Sequence, residues 1–185
     1  MNTANKLTML RVVLIPVYLL LWHMEFPGNN YAALAVFVIA SLTDLLDGYI
    51  ARHYNQITDF GKFMDPLADK VLVLTAMARF CAMGRFPDWA LVIVIAREFA
   101  VSGLRLVAVD NGRVIAAGWS GKVKTASTMV CLCLMHLWEL THLWEVPFSL
   151  PDYLDWACVI IIAATTLYSG IEYFVLNRDV LNWNK

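Results

Sequence analysis

The chain has 185 residues, 60% hydrophobic and 16% charged, against roughly 25% charged in an average soluble domain. That composition excludes an ordinary water-soluble globule and suits a single membrane domain over residues 1–185. With a net charge of −1, no basic tail and no interleaving of basic and aromatic residues, it excludes a nucleic-acid partner.

The first apolar run, Leu7 to Trp22, is preceded by Asn5 and contains Thr8 and Arg11. Steps of three residues put this trio on one helical face. Arg11 interrupts the run and no small-x-small site follows before Pro27, so it reads as a membrane helix with a polar entry and not as a cleaved signal. The alternative for the trio is an amphipathic entry helix capped by Asn5. The second run, Tyr31 to about His53, carries Asp44 and Asp47. The third opens at Pro66, a favoured first-turn residue, and reaches about Met83. At 1.5 Å per residue it spans roughly 27 Å, enough to cross a bilayer core.

The fourth run, Asp88 to Val109, is interrupted by Arg97, Glu98 and Arg105, which must face a bundle interior because lipid would not tolerate them. The fifth spans about Gly121 to Trp138 and opens with Lys122 and Lys124; the sixth spans about Tyr153 to Leu176. The expected fold is therefore all-α, a polytopic membrane protein of six transmembrane helices. The four cysteines and four histidines have no partners at ligand spacing and read as packing or interfacial residues.

If both termini lie inside, twelve of the fourteen lysines and arginines fall on the inner side and only Arg79 and Arg85 on the outer. The positive-inside rule then makes the termini cytoplasmic. The ends of the second and fourth runs and the starts of the third and fifth share that cytoplasmic side, and with them the aspartates and the cluster Arg105, Lys122 and Lys124, with Arg97 somewhat deeper.

The most informative stretch runs from Asp44 to Asp69. Asp44 and Asp47 are i, i+3 neighbours and Asp65 and Asp69 are i, i+4 neighbours, so each pair shares a helical face. Four carboxylates at membrane depth require neutralisation. Oxygen-only ligands point to Mg²⁺ or Mn²⁺, and four aspartates suit two ions, an arrangement fitted to phosphoryl transfer. The structural alternative is a set of helix caps or ion pairs with Arg52, Lys62 and Lys70, Asp65 before Pro66 being a plausible cap. A divalent-cation transporter is the rival from another class, but the acids cluster toward one face instead of lining a path.

The pattern Asp44-x2-Asp47-Gly48-x2-Ala51-Arg52-x8-Gly61-x3-Asp65-x3-Asp69 fixes eight residues within 26 positions, and it resembles the signature of the CDP-alcohol phosphotransferases. The resemblance implies metal ligation by Asp44, Asp47, Asp65 and Asp69, with Asp69 as the base. It implies donor binding at Gly48, Ala51, Arg52 and Gly61, with Thr58 a weaker candidate in the same subsite. Asn5, Thr8 and Arg11 match the family's Asn-x2-Thr-x2-Arg opening, with Ala4 where proline is frequent, and are further candidates for the donor.

The segments Arg97 to Arg105 and Val114 to Thr125 resemble the branch of that family whose acceptor is glycerol 3-phosphate. The expected reaction transfers a phosphatidyl group from CDP-diacylglycerol to glycerol 3-phosphate, with Arg97, Arg105, Lys122 and Lys124 holding the acceptor phosphate. Serine or an inositol phosphate is the alternative acceptor. The resemblance further implies membrane lipids as surroundings, a bacterial inner-membrane location with a cytoplasmic active site, and room for a homodimer. Residues 126–185 carry no usable motif.

Overall fold

The computed structural model describes residues 3–24, 26–53, 59–113, 115–116, 118–141 and 150–180. Within these, the side chains of 3–4, 44–45, 47–53, 59–60, 62–63, 141 and 150–151 lie outside the description. Six α-helices follow one another: α1 Thr3–His23, α2 Asn29–His53, α3 Asp59–Ala82, α4 Asp88–Asp110, α5 Trp119–Thr141 and α6 Leu150–Leu176, with a short 3₁₀ turn at Arg178–Val180. Among the described residues there is no strand. The all-α expectation holds, and each expected run corresponds to one helix.

Two helix starts bear on the aspartate region, and at both the alternative capping reading fails. Asn5 does not cap α1 but lies inside it, buried. Likewise α3 begins at Asp59, so Pro66 sits in its second turn and not at its start, and Asp65 is a mid-helix residue, not a cap. Proline there forfeits a main-chain hydrogen bond that it would not miss in the first turn.

The chain divides into two compact units, residues 1–76 with 136–146, and residues 77–135 with 147–185. In the first, α1 and α2 pack against each other. The buried positions of α1 (Asn5, Thr8, Arg11, Ile15, Tyr18 and Trp22) recur every three or four residues as one stripe. Ala33 and Ala40 flank the buried Phe37 on α2 at helical spacing, small residues of the kind that let membrane helices approach closely. At one end of the stripe, His136 of α5 stacks on Phe37, with ring centroids 4.9 Å apart, and shares a 2.8 Å hydrogen bond with the Tyr18 hydroxyl. His136 is thus a packing residue whose polar edge is satisfied.

In the second unit, the helix stops are set by Gly84 and Gly112, at φ +73° and +69°. After each glycine the next amide turns back to the helix, Arg85 N to Phe80 O at 3.0 Å and Arg113 N to Ala108 O at 2.8 Å. These are Schellman stops, which need a left-handed residue at that position. Val101, Leu104 and Ala108 of α4 pack with Tyr173 of α6 and Val180 of the 3₁₀ turn. Arg85 clamps Asp155 of α6 through two bonds, Nε to Oδ2 at 2.7 Å and Nη2 to Oδ1 at 2.9 Å, and its Nη2 also reaches the Met135 carbonyl.

The burial pattern departs from that of a water-soluble protein. Arg11 is 0% exposed and Lys124 5%, while Phe99 is 70% and Leu106 73% exposed. Large apolar side chains outside with Arg11 and Lys124 buried suit lipid around the helices. By length and apolarity, Asn5–His23 and Asp152–Leu176 are the two spans able to cross a membrane among the described residues. Arg97, Glu98 and Arg105 keep α4 from that class despite its 23 residues. The chain is membrane-associated.

Candidate active site

The backbone of α2 stays helical through Asp44, Asp47, Gly48, Ala51 and Arg52. Asp44 and Asp47 are therefore nearly one turn apart along the helix. Their side chains, with those of Gly48, Ala51 and Arg52, lie outside the described residues, as does Thr58 altogether. On α3, Gly61 is buried, and Asp65 and Asp69, one turn apart, are partly exposed.

The buried stripe of α1 reaches this pair. Thr8, 1% exposed, donates from Oγ1 to Asp65 Oδ1 at 2.6 Å. A hydroxyl donating to a carboxylate at this length is a charge-assisted bond that fixes the carboxylate's orientation. Asn5 and Arg11, one turn to either side of Thr8, are buried on the same stripe. The opening trio is thus attached to the aspartate region by a direct bond from its middle member. Among the described residues no three His, Cys, Asp or Glu side chains converge as a metal centre; Asp44 and Asp47 fall outside that statement.

The expected acceptor cations belong to the second unit. Arg97 is 13% exposed, and its Nη2 donates to Ser169 Oγ of α6 at 2.6 Å while Nη1 donates to Glu98 Oε1 at 3.2 Å. Lys124 of α5 donates to the same Glu98 oxygen at 2.5 Å. Among the described residues two cations thus share one carboxylate in a largely buried setting. Buried Arg97 Nε has no acceptor among the described residues. Two turns along α4, Arg105 is exposed and not interior as expected; it donates from Nε to the Tyr173 hydroxyl at 3.0 Å, with its guanidinium 5.4 Å from the ring centroid.

Not all four expected acceptor cations share a face. Lys124 is buried against Glu98, whereas Lys122, two residues earlier and so about 200° around α5, is exposed. Conversely, three neighbours of the arginines were invisible to motif reading: Ser169, Gly170 and Tyr173, all on α6. A signal existed, because Thr166, Ser169, Gly170 and Tyr173 repeat at i, i+3, i+4 and i+7 on a mostly apolar helix and are all buried.

Comparison with known proteins identifies the family. The family model for CDP-alcohol phosphatidyltransferase matches residues 1–168. The CDP-diacylglycerol--glycerol-3-phosphate 3-phosphatidyltransferase of Bacillus subtilis (strain 168) is 38% identical, with 97% of each chain covered. The protein of the same name from Escherichia coli (strain K12) is 36% identical, with 98% of each covered. A probable phosphatidylglycerophosphate synthase of Mycobacterium tuberculosis (strain ATCC 25618 / H37Rv) is 38% identical over 93% of this chain and 79% of its own. Matched by the family model along most of its length and by such relatives over 93–98% of it, the chain belongs to the CDP-alcohol phosphatidyltransferase family.

Proposed function

We infer that the chain transfers the phosphatidyl group of CDP-diacylglycerol to glycerol 3-phosphate, releasing CMP and forming phosphatidylglycerophosphate. The observation that carries this reading is the complete aspartate signature in a chain aligned end to end with relatives named for that reaction. The lipid tails of the donor account for a transferase with an apolar exterior.

The donor set of Asp44, Asp47, Asp65 and Asp69 is all carboxylate oxygen, as Mg²⁺ or Mn²⁺ requires. The Thr8 hydroxyl on Asp65 is the kind of outer hydrogen bond that orients a ligating carboxylate. Two divalent ions held there would supply charge neutralisation for the donor diphosphate and the departing CMP. Gly48, Ala51, Arg52, Gly61 and Thr58 bind the cytidine end of the donor, supported by Asn5, Thr8 and Arg11. Arg97, Arg105, Lys122 and Lys124 hold the acceptor phosphate and thereby orient its far hydroxyl. That hydroxyl oxygen bonds to the phosphatidyl phosphorus as the phosphorus–oxygen bond to CMP breaks, and Asp69 takes the hydroxyl proton.

All six helices cross the bacterial inner membrane in this reading, with both termini and the active site cytoplasmic. Arg97 and Glu98 of α4, largely buried and paired with each other, are then accommodated within the protein instead of facing lipid.

The test is CMP release from CDP-diacylglycerol by the purified chain in detergent with Mg²⁺, offering glycerol 3-phosphate, serine, inositol phosphate or no acceptor. Release driven by glycerol 3-phosphate alone is expected. Equal release with another acceptor would overturn the acceptor assignment, and no release with any would overturn the reaction.

A further inference from the structure

We propose that α6 is the positioning element of the acceptor arginines: Ser169 and Gly170 set the guanidinium of Arg97, and Tyr173 sets that of Arg105. The inference rests on the reading that these arginines hold the acceptor phosphate, and it gives the last third of the chain a role in acceptor specificity.

An arginine has four flexible side-chain torsions, and useful recognition of a phosphate requires its planar fork to be fixed beforehand. Around Arg97 the restraint is distributed. Ser169 Oγ accepts from Nη2 at 2.6 Å and Glu98 Oε1 accepts from Nη1 at 3.2 Å, so two of the three guanidinium nitrogens are tied. The stem is confined as well, because a Cβ built on Gly170 would lie 3.2 Å from Arg97 Cγ. That is tighter than ordinary van der Waals contact, so glycine at 170 is what admits the stem alongside α6. Nε remains buried and without an acceptor among the described residues, a donor still available to a ligand.

One turn further along α6, the Tyr173 hydroxyl accepts from Arg105 Nε and its ring lies beside the guanidinium. Ser169, Gly170 and Tyr173 lie on one face of α6, and Arg97 and Arg105 are two turns apart on α4. One helix face thus serves both arginines. Ser169 is 1% exposed and Tyr173 7%, so neither is a solvated surface group.

The test uses the full-length chain in detergent and compares Ser169→Ala, Tyr173→Phe, Gly170→Ala and Arg97→Gln. Separate KM values for glycerol 3-phosphate and CDP-diacylglycerol, kcat and thermal unfolding are measured for each. The first three variants are expected to raise the glycerol 3-phosphate KM about five- to tenfold, with the donor KM unchanged. Ser169→Ala should add nothing further in an Arg97→Gln background, the non-additivity of two groups acting through one contact.

Equal loss against both substrates in step with lowered thermal stability, or full additivity with Arg97→Gln, would overturn the proposal in favour of plain packing. So would unchanged kinetics in the α6 variants while Arg97→Gln still raises the acceptor KM, an outcome that leaves the acceptor reading intact. If Arg97→Gln itself leaves the acceptor KM unchanged, the acceptor reading falls and the proposal falls with it.

Discussion

Thr8 Oγ1 donates to Asp65 Oδ1 at 2.6 Å, joining the first helix to an aspartate 57 positions later in the chain. Thr8 lies on the same buried stripe as Asn5 and Arg11, which makes the polar face of α1 a support for the carboxylate region and not only a polar entry into the membrane. Removing this bond should loosen one carboxylate without removing it. Thr8→Val is expected to raise the Mg²⁺ concentration for half-maximal activity by about tenfold, the lower range for losing an outer hydrogen bond to a metal ligand. Thr8→Ser should restore most of the loss. A Mg²⁺ titration of CMP release reads both variants, and an unchanged midpoint in Thr8→Val would refute the supporting role.

The aspartates themselves should divide by role. Asn in place of Asp44, Asp47 or Asp65 is expected to remove activity and weaken donor binding, since each removes a charged ligand. Asp69→Asn should remove turnover while leaving donor binding largely intact, because the proton acceptor is lost while three carboxylates remain to hold the donor's metal. Chelation should abolish activity reversibly, with Mg²⁺ or Mn²⁺ restoring it. Activity in Asp69→Asn within a few fold of the starting chain would exclude it as the base.

Much of the helix order and the whole aspartate spacing were legible in the sequence, because helical periodicity and fixed spacing are local properties. What was not legible depends on distant partners. Pro66 suggested a helix start, yet α3 begins at Asp59 and tolerates the proline in its second turn. Arg85 looked like an outer loop charge, yet it meets Asp155, 70 positions away. Ser169 and Gly170 carry no family motif, and their small polar character vanishes in the average hydropathy of α6. Their significance emerges only beside Arg97, 72 positions earlier than Ser169.

The Arg85–Asp155 pair should matter to stability alone. Asp155 is 5% exposed and Arg85 12%, with both carboxylate oxygens engaged by the guanidinium. Asp155→Ala strands a buried guanidinium, a change that typically costs about 3–5 kcal/mol. Thermal unfolding in detergent should shift down markedly while the folded fraction retains its KM values. An unshifted unfolding curve would show that the pair contributes little net stability.

The two lysines of α5 should separate in a way that their closeness in sequence conceals. Lys124 is buried and bonded to Glu98, which also holds Arg97, so Lys124→Ala leaves that carboxylate with one cation fewer and frees it to hold Arg97 more strongly. Both a lower unfolding temperature and a higher glycerol 3-phosphate KM are expected. Lys122 is exposed and on another face of α5, so Lys122→Ala should leave unfolding unchanged and raise only the acceptor KM, by about two- to fivefold for a solvated cation. Should Lys122→Ala leave the acceptor KM untouched, the acceptor set contracts to Arg97, Arg105 and Lys124. Should Lys124→Ala prove neutral in both measurements, the Glu98 bridge is not what organises these cations.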